Sequence, residues 1–86
     1  MSDIPVIIYP MYAVRDIKAD GFGMVQLYVN EQTAKRDFDY RLHNDHSMGF
    51  SPADYDLYKI GEMNGRTGQV TGLEIPEFIV NGGQLF

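Results

Sequence analysis

The stretch that decides the fold is NEQTAKRDFDYRL, residues 30–42. Asn30 is a favourable N-cap residue for a helix, and Glu31 follows it where the positive end of the helix dipole stabilises an acid. Apolar side chains then recur every four residues, at Ala34, Phe38 and Leu42. That spacing places them on one face of a helix. We therefore predict an amphipathic helix from about residue 31 to about residue 42, with that face packed against the rest of the domain.

Segments rich in β-branched and aromatic residues flank this helix on both sides, as is typical of strands. Residues 4–14 and 24–29 precede the helix, and residues 55–63 and 69–73 follow it. The pair Asn64-Gly65 favours a tight turn between the last two segments. The order strand, strand, helix, strand, strand predicts the α+β class, with a small antiparallel sheet and the helix on one of its faces.

The length of 86 residues predicts a single domain. We place the α+β domain at residues 1–75. We interpret residues 76–86, from Pro76 onward, as a C-terminal tail that is flexible or docks on a partner subunit. A chain this small has a limited core and open sheet edges, which favours association into a homodimer.

The net charge is −5, and the chain has no cysteine. Without thiols, disulfides and thiolate metal sites are excluded. The acidic balance disfavours general binding to nucleic-acid phosphates, although all seven basic residues lie between Arg15 and Arg66, where a local basic patch can form. The first apolar run is interrupted by Pro5 and Pro10 and has no basic residue before it. We therefore expect no signal peptide, no membrane span and an intracellular protein.

The stretch GFGMVQL, residues 21–27, resembles in part the strand on which RNA-recognition modules stack bases. The position where that motif has a basic residue is occupied by Asp20, however. The later positions where the motif has aromatic residues are occupied by Met24 and Leu27. The preceding chain is also too short for the strand, helix and strand that come before the motif in that fold. We therefore interpret Gly21 and Gly23 as permitting a tight turn, and Phe22 as covering the core.

Two pairs of polar residues have a spacing that suits chemistry. His43 and His46 could be two metal ligands near the end of the helix, but no further His or Cys completes a ligand set. Asp54 and Asp56 would share one face of a strand, as paired carboxylates do, yet nothing nearby is a recognisable nucleophile or oxyanion donor. Phosphate-loop, nucleophile-elbow and zinc-protease motifs are absent. We predict no catalytic residue, no metal, no cofactor and no enzymatic activity.

Cations and rings around the first strand suggest a site for single-stranded nucleic acid. The candidate residues are Tyr12, Arg15, Lys18, Phe22, Arg36 and Arg41. The cations would meet phosphates and the two rings would stack bases, so binding would weaken steeply with salt. The alternative is that the helix cations form only a solvated face, paired with neighbouring acids. The hypothesis therefore requires that the cations and rings gather on one side of the sheet.

A protein–protein adaptor is the competing hypothesis. An acidic surface and an apolar C-terminal tail would dock on a partner, for example by adding a strand to its sheet. The candidate partner-binding residues are Phe78, Ile79, Val80, Leu85 and Phe86. On this hypothesis, deletion of residues 81–86 would abolish binding and leave the fold intact.

Three segments occur in an order and spacing that resemble a known family: YAVRDIKADGF at residues 12–22, NEQTAKRDF at residues 30–38 and PADYDLYKIGEMNGRTGQV at residues 52–70. The matching residues are Tyr12, Asp16, Lys18, Ala19, Asn30, Glu31, Ala34, Arg36, Phe38, Asp54, Tyr55, Leu57, Tyr58, Ile60, Gly61, Thr67 and Gly68. Met63 stands where an aromatic residue is usual. From about residue 11 to about residue 70, the chain resembles the small nonstructural protein of gokushoviruses, single-stranded DNA phages of the microvirus family.

The resemblance implies a non-virion bacteriophage protein of the host bacterial cytoplasm. It implies a role in the synthesis or packaging of viral single-stranded DNA, with binding of that DNA as a suggested activity. It supplies no catalytic residue. We therefore expect a non-enzymatic phage accessory protein at the single-stranded genome, with viral replication or capsid proteins as further partners and the adaptor as the alternative.

Overall fold

The computed structural model describes residues 7–44 and 51–85. Its strands are β1 (Ile8–Asp16), β2 (Gly21–Leu27), β3 (Tyr55–Asn64) and β4 (Val70–Asn81), and its α-helix is α1 (Glu31–Asn44). Short 3₁₀ helices precede β3 at Pro52–Asp54 and follow β4 at Gly82–Leu85. The order β-β-α-β-β confirms the predicted α+β class. Neither described stretch contains a helix that is long and apolar enough to cross a membrane.

The strands form one antiparallel sheet in the order β2-β1-β3-β4. Val14 of β1 lies opposite Gly23 of β2 on one side and opposite Leu57 of β3 on the other. Since β2 and β3 are both antiparallel to β1, they run in the same direction. Strands that run in the same direction need a crossover connection, and the segment containing α1 supplies it across one face of the sheet.

The core lies between α1 and the sheet, as the four-residue apolar spacing predicted. Ala34, Phe38 and Leu42 are each at most 2% exposed. The strands contribute Tyr12, Val14, Leu57 and Val80 to the same cluster. The molecule is elongated, with principal extents of 52 × 24 × 18 Å. Apolar side chains at the starts of β1 and β4 remain exposed, including Ile8 and Val70.

The start of α1 is fixed by the residue that the sequence predicted as its cap. The side-chain oxygen of Asn30 accepts hydrogen bonds from the backbone N–H and the hydroxyl of Thr33, both at 2.8 Å. Lys35 lies 3.9 Å from Glu31, in the favourable acid-before-base order. The helix continues to Asn44, two residues past the predicted end at Leu42.

Both outer strands depart from regular pairing. In β2 the register shifts opposite the stretch between Tyr12 and Val14, and Met24 has a positive φ of 53°. In β4, Glu77 lies opposite Lys59 and Gly72 lies opposite Gly61, so that residues 73–76 face a single residue of β3. We call residues 73–76 the β4 excursion. Such an irregular outer strand tolerates Pro76, which has no N–H to donate.

The strand β4 runs through the domain boundary predicted at residue 75. Val80 lies opposite Leu57 in the core and is 8% exposed. The side-chain amide of Asn81 donates to the backbone oxygen of Ala53 at 2.9 Å and to a carboxylate oxygen of Asp56 at 2.8 Å. Leu85 packs against the core cluster. Residues 76–85 are therefore part of the domain and not a separate tail, while Phe86 lies outside the described residues.

Candidate functional site

A row of three aromatic rings crosses the sheet from one outer strand to the other. Phe22 of β2 and Tyr58 of β3 have ring centroids 5.2 Å apart, and Tyr58 and Phe78 of β4 have centroids 5.7 Å apart. Both pairs are edge-to-face with interplanar angles of 79°, the arrangement that the ring quadrupoles favour. We call these three residues the aromatic row.

The strand register explains why these rings meet. Tyr58 lies opposite Ala13 on one side and Phe78 on the other. Because Ala13 is small, the ring of Tyr58 can reach past β1 to Phe22, which is cross-strand from Arg15. Alternation along the strands puts Ala13 and Tyr58 on the face opposite to that of the core residues Val14 and Leu57. The aromatic row therefore lies on the sheet face that α1 does not cover.

The two outer rings of the row are open to solvent. Phe22 and Phe78 are each 50% exposed, whereas Tyr58 is half-buried between them. Single exposed apolar residues are ordinary, but a contiguous exposed apolar group is typical of an interaction site. The sequence pointed separately to Phe22 and Phe78 and missed Tyr58 as a site residue. One sequence signal could have indicated Tyr58: it is an aromatic residue in the middle of a predicted strand, and the first predicted strand carries a small alanine, Ala13.

The cations do not gather around this row. Five of the seven lie within ion-pair distance of a carboxylate: Arg15 with Asp20 at 2.7 Å, Lys18 with Asp54 at 3.3 Å, Lys35 with Glu31 at 3.9 Å, Arg41 with Asp37 at 3.1 Å and Lys59 with Glu62 at 3.3 Å. Arg36 on α1 and Arg66 in the β3–β4 turn have no ion-pair partner among residues 7–44 and 51–85.

The candidate nucleic-acid residues are therefore split between two layers of the fold. Arg15 shares the sheet face of Phe22, its cross-strand partner, and Lys18 lies in the adjoining turn. Arg36 and Arg41 belong to α1, on the other side of the sheet. The structure does not bring these four cations together, because Arg15 lies on the sheet face that α1 does not cover and Lys18 is paired with Asp54 before β3. The alternative of a solvated helix face paired with its own acids describes Lys35 and Arg41 but not Arg36.

Tyr12 is a core residue and offers no ring face to a base. It is 2% exposed, and its ring centroid lies 5.8 Å from that of Tyr28. Burial, followed by the charges of Glu31 and Glu77, raises the pKa of its hydroxyl. The expectation that Tyr12 stacks bases is therefore corrected: at the centre of β1 its side chain points toward α1, and the exposed rings belong to neighbouring strands.

The predicted partner-binding residues also divide between surface and core. Phe78 is exposed and belongs to the aromatic row, whereas Val80 is buried and Ile79 and Leu85 pack against the core. The division follows from β4 being a strand of the sheet whose register shifts between Val80 and Phe78, so that Phe78 lies beside Tyr58 while Ile79 and Val80 both pack against the core. A free apolar tail is therefore not what these residues form. Phe86 lies outside the described residues.

A polar network joins the end of β2 to α1. The hydroxyl of Tyr28 donates a hydrogen bond to a carboxylate oxygen of Asp37, and Arg41 donates to the same oxygen at 3.1 Å. Arg41 also donates to the side-chain oxygen of Gln26 at 2.8 Å. Burial, followed by the hydrogen bond and charge of Asp37, raises the pKa of Tyr28 to about 12. The hydroxyl therefore stays protonated and keeps donating at neutral pH.

The aspartate pair and the histidine pair that the sequence analysis considered as chemical sites make contacts within the fold. Asp54 ends a 3₁₀ helix and pairs with Lys18, while Asp56 is 7% exposed and accepts a hydrogen bond from Asn81. His43 lies 3.0 Å from Asp39, one turn earlier on α1, and His46 lies outside the described residues. Within the described ranges, no group of three His, Asp or Glu residues is placed to hold a metal ion.

The comparisons with known proteins identify the family. A family model described as phage ORF5 protein matches residues 9–85, which includes β1 through the 3₁₀ helix after β4. Neither the search of curated proteins nor the search of solved structures finds a match. The match covers nearly all of the chain, and all three rings of the aromatic row fall within it. The chain therefore belongs to the phage ORF5 protein family.

Proposed function

We propose that this phage protein is a non-enzymatic accessory factor that binds a second protein through the aromatic row. The observation that carries the proposal is the line of contacting rings, Phe22, Tyr58 and Phe78, on the uncovered sheet face. Aromatic side chains supply large contact areas at small entropic cost, and they are enriched where proteins bind one another. This adaptor differs from the one first expected, because its docking surface is the middle of the sheet and not a C-terminal tail.

The charge distribution favours a protein partner over a nucleic acid. Affinity for nucleic acids depends largely on cations that neutralise phosphates. The net charge here is −5, and Arg15, the cation nearest to the row in the strand register, is already 2.7 Å from Asp20. A DNA strand would have to displace such carboxylates before it gained the same contacts. A protein that presents apolar and basic groups would meet no such penalty.

The finer setting of the proposal rests on the sequence resemblance. We place the protein among the small nonstructural proteins of gokushoviruses, in the cytoplasm of the host bacterium, at the synthesis or packaging of the single-stranded genome. The partner would then be a viral replication or capsid protein, with association into a homodimer on the same open sheet face as a further option.

Single-stranded DNA is the second candidate partner of the row. The bases of a single strand can stack on aromatic rings that neighbouring β-strands contribute. Each base stacked on such a ring contributes about 1–3 kcal/mol to binding. Because most cations are already paired, this mode would depend on stacking far more than on charge. Binding of DNA here would therefore weaken only mildly with salt, unlike the steep dependence first expected.

The test compares two double variants with the wild-type chain. Phe22→Ser with Phe78→Ser removes the outer rings, and Val29→Ser with Val70→Ser removes two apolar side chains of similar exposure, 66% and 55%, away from the row. Each is co-expressed with the replication and capsid proteins of the same phage and analysed by affinity capture. We expect capture by the wild type and the control pair, and loss of capture by the row pair, with unfolding midpoints showing that all three chains fold.

Fluorescence anisotropy with an oligothymidine of about 16 nucleotides decides between the two partners. Ring-dependent binding of the oligonucleotide, without capture of a viral protein, would replace the adaptor by the DNA-binding factor. Capture that survives loss of both rings would contradict the role of the row for either partner.

A further inference from the structure

A cleft separates the end of β2 from the exposed side of α1, on the opposite side of the sheet from the aromatic row. Its lining residues are Gln26, Tyr28, Thr33, Arg36, Asp37 and Tyr40. The four helical residues are spaced by three and four positions and so form one continuous helix face. The cleft is open and has a volume of about 350 Å³, which is within the range of small-molecule sites.

The acidic residue in the cleft is already neutralised. Asp37 accepts hydrogen bonds from Tyr28 and from Arg41, whose Nε lies 3.1 Å away. Arg41 is held in place by a second contact to Gln26 at 2.8 Å. That contact uses the carbonyl oxygen of the Gln26 side chain and leaves its two amide N–H groups as donors. The polar network therefore leaves the cleft with donors and without a free carboxylate.

Arg36 brings an unbalanced positive charge to the rim. It is exposed and has no ion pair within residues 7–44 and 51–85, in contrast with five of the other six cations. With Arg41 and Asp37 cancelling each other, Arg36 leaves an excess of one positive charge in an otherwise acidic molecule. A guanidinium with free N–H groups is the side chain best suited to bind phosphate oxygens in pairs.

Tyr40 adds an aromatic surface next to this charge. It follows Arg36 by one helical turn, and its side chain is 65% exposed. An exposed ring beside a cation and amide donors can hold a planar base while the cation holds the attached phosphate.

We propose that the cleft between β2 and α1 binds the phosphate of a nucleotide at Arg36, with its base against Tyr40. The nucleotide is either free or one unit of a single strand, and the shared chemistry is the phosphate with its planar base. The proposal is independent of the docking surface on the other face, because the cleft and the aromatic row have no residue in common. Failure of either proposal would leave the other unchanged.

The test is an NMR titration of the isotope-labelled full chain with thymidine monophosphate, thymidine, inorganic phosphate and oligothymidine. Arg36→Gln is the test variant, and Arg66→Gln is its matched control, because it removes the other unpaired arginine and makes the same change in net charge. We expect saturable shifts of the backbone amides of Gln26, Thr33 and Arg36 with thymidine monophosphate. Arg36→Gln should weaken that binding about tenfold or more, and Arg66→Gln should leave it unchanged.

The remaining titrations distinguish the contribution of the base from that of the phosphate. They also distinguish a nucleic-acid strand from a free nucleotide as the ligand. Tyr40→Leu should remove the preference for thymidine monophosphate over inorganic phosphate. Tighter binding of oligothymidine would assign the site to a strand, and equal binding would assign it to a free nucleotide. Equal weakening by Arg36→Gln and Arg66→Gln, or shifts that never saturate, would overturn the proposal by showing only diffuse attraction to positive charge.

Discussion

At the scale of single residues, Tyr28 shows how one hydroxyl can tie a strand to a helix. Its ring packs against the core and lies edge-on to the ring of Tyr12, at 5.8 Å between centroids. Its hydroxyl donates to Asp37, which also accepts from Arg41. The end of β2 and the middle of α1 are therefore connected by both apolar and polar contacts at the same place.

Stability should fall in alkaline solution because of this hydroxyl. The pKa of Tyr28 is about 12 in the folded chain, against 10 for an unperturbed tyrosine, so the contact contributes fully below pH 10 and its contribution is lost as the pH rises toward 12. We predict that Tyr28→Phe removes a measurable part of the decline in unfolding free energy between these two pH values. Urea unfolding of the wild type and the variant at a series of pH values measures this decline. Tyr40→Phe, which changes an exposed tyrosine, is the control.

Identical declines for Tyr28→Phe and the wild type would contradict this assignment. Tyr12, whose pKa is also raised, would then carry the alkaline sensitivity. At neutral pH, Tyr28→Phe should cost about 1.5–3 kcal/mol, the usual contribution of a hydrogen bond to a charged group.

At the scale of elements, β3 and β4 pair with two glycines facing each other, Gly61 and Gly72, and only one of them is needed for the close approach. A Cβ added at Gly61 would lie 2.5 Å from the backbone oxygen of Thr71 and 3.1 Å from the Cα of Gly72. A Cβ added at Gly72 would meet only the backbone oxygen of Ile60, at 3.9 Å. The close approach of the two strands is therefore made possible by Gly61 alone.

The two glycines should respond differently to the same substitution. We predict that Gly61→Ala lowers the unfolding free energy by about 1–3 kcal/mol, since backbone atoms must move to admit the methyl group. Gly72→Ala is the matched control and should be neutral or stabilising by up to about 1 kcal/mol, because alanine restricts the unfolded chain. Urea midpoints of both variants provide the measurement. Equal losses of unfolding free energy for Gly61→Ala and Gly72→Ala would contradict this prediction. They would show that the loss does not come from the close contact at Gly61.

The elements themselves were predictable to different degrees. The helix was predicted almost to its ends, because Asn30 and the four-residue apolar spacing are local signals. The start of β2 was missed, since Gly21 and Gly23 were interpreted as a turn although both pair with β1. The predicted end of β4, at Leu73, was too early, because Pro76 favours a break in a regular strand. An irregular outer strand accepts both features, and irregularity of this kind has no local sequence signal.

At the scale of the whole molecule, the C-terminal residues close the core at the end of the sheet near the helix. Gly82 is buried, and Leu85 packs against the core cluster. The backbone N–H of Asn81 donates to the side chain of Gln84 at 2.9 Å, which fixes the last turn against β4. The chain end therefore contributes to stability in the place where α1 and the strands already meet.

Removal of the last residues should destabilise the protein, contrary to the expectation for a free tail. We predict that deletion of residues 82–86 lowers the unfolding free energy by roughly 1.5–3 kcal/mol, the range for exposing one large apolar side chain. Leu85→Ser should reproduce part of that loss, and Ile75→Ser, at a side chain that is 78% exposed, should not. An unchanged urea midpoint for the truncated chain would restore the view of the tail as a dispensable segment.

The candidate site was less predictable than the fold. Phe22 and Phe78 were recognised separately, but their contact through Tyr58 depends on the strand order and on register shifts that no local pattern encodes. Arg36 and Arg41 were recognised as cations, whereas the pairing of Arg41 with Asp37 and the isolation of Arg36 depend on how α1 is rotated over the sheet. Contacts between distant segments thus decide the function of residues whose individual chemistry was visible from the start.

The β4 excursion has a consequence for how copies of this chain meet. A long, regular outer strand offers a template on which a second chain can add its own strand, and repeated addition leads to fibres. Here four residues bulge out against one at that edge, and the opposite edge is distorted at Met24. Neither rim therefore offers a long, regular template for a ladder of copies, and we expect the protein to resist polymerisation at high concentration.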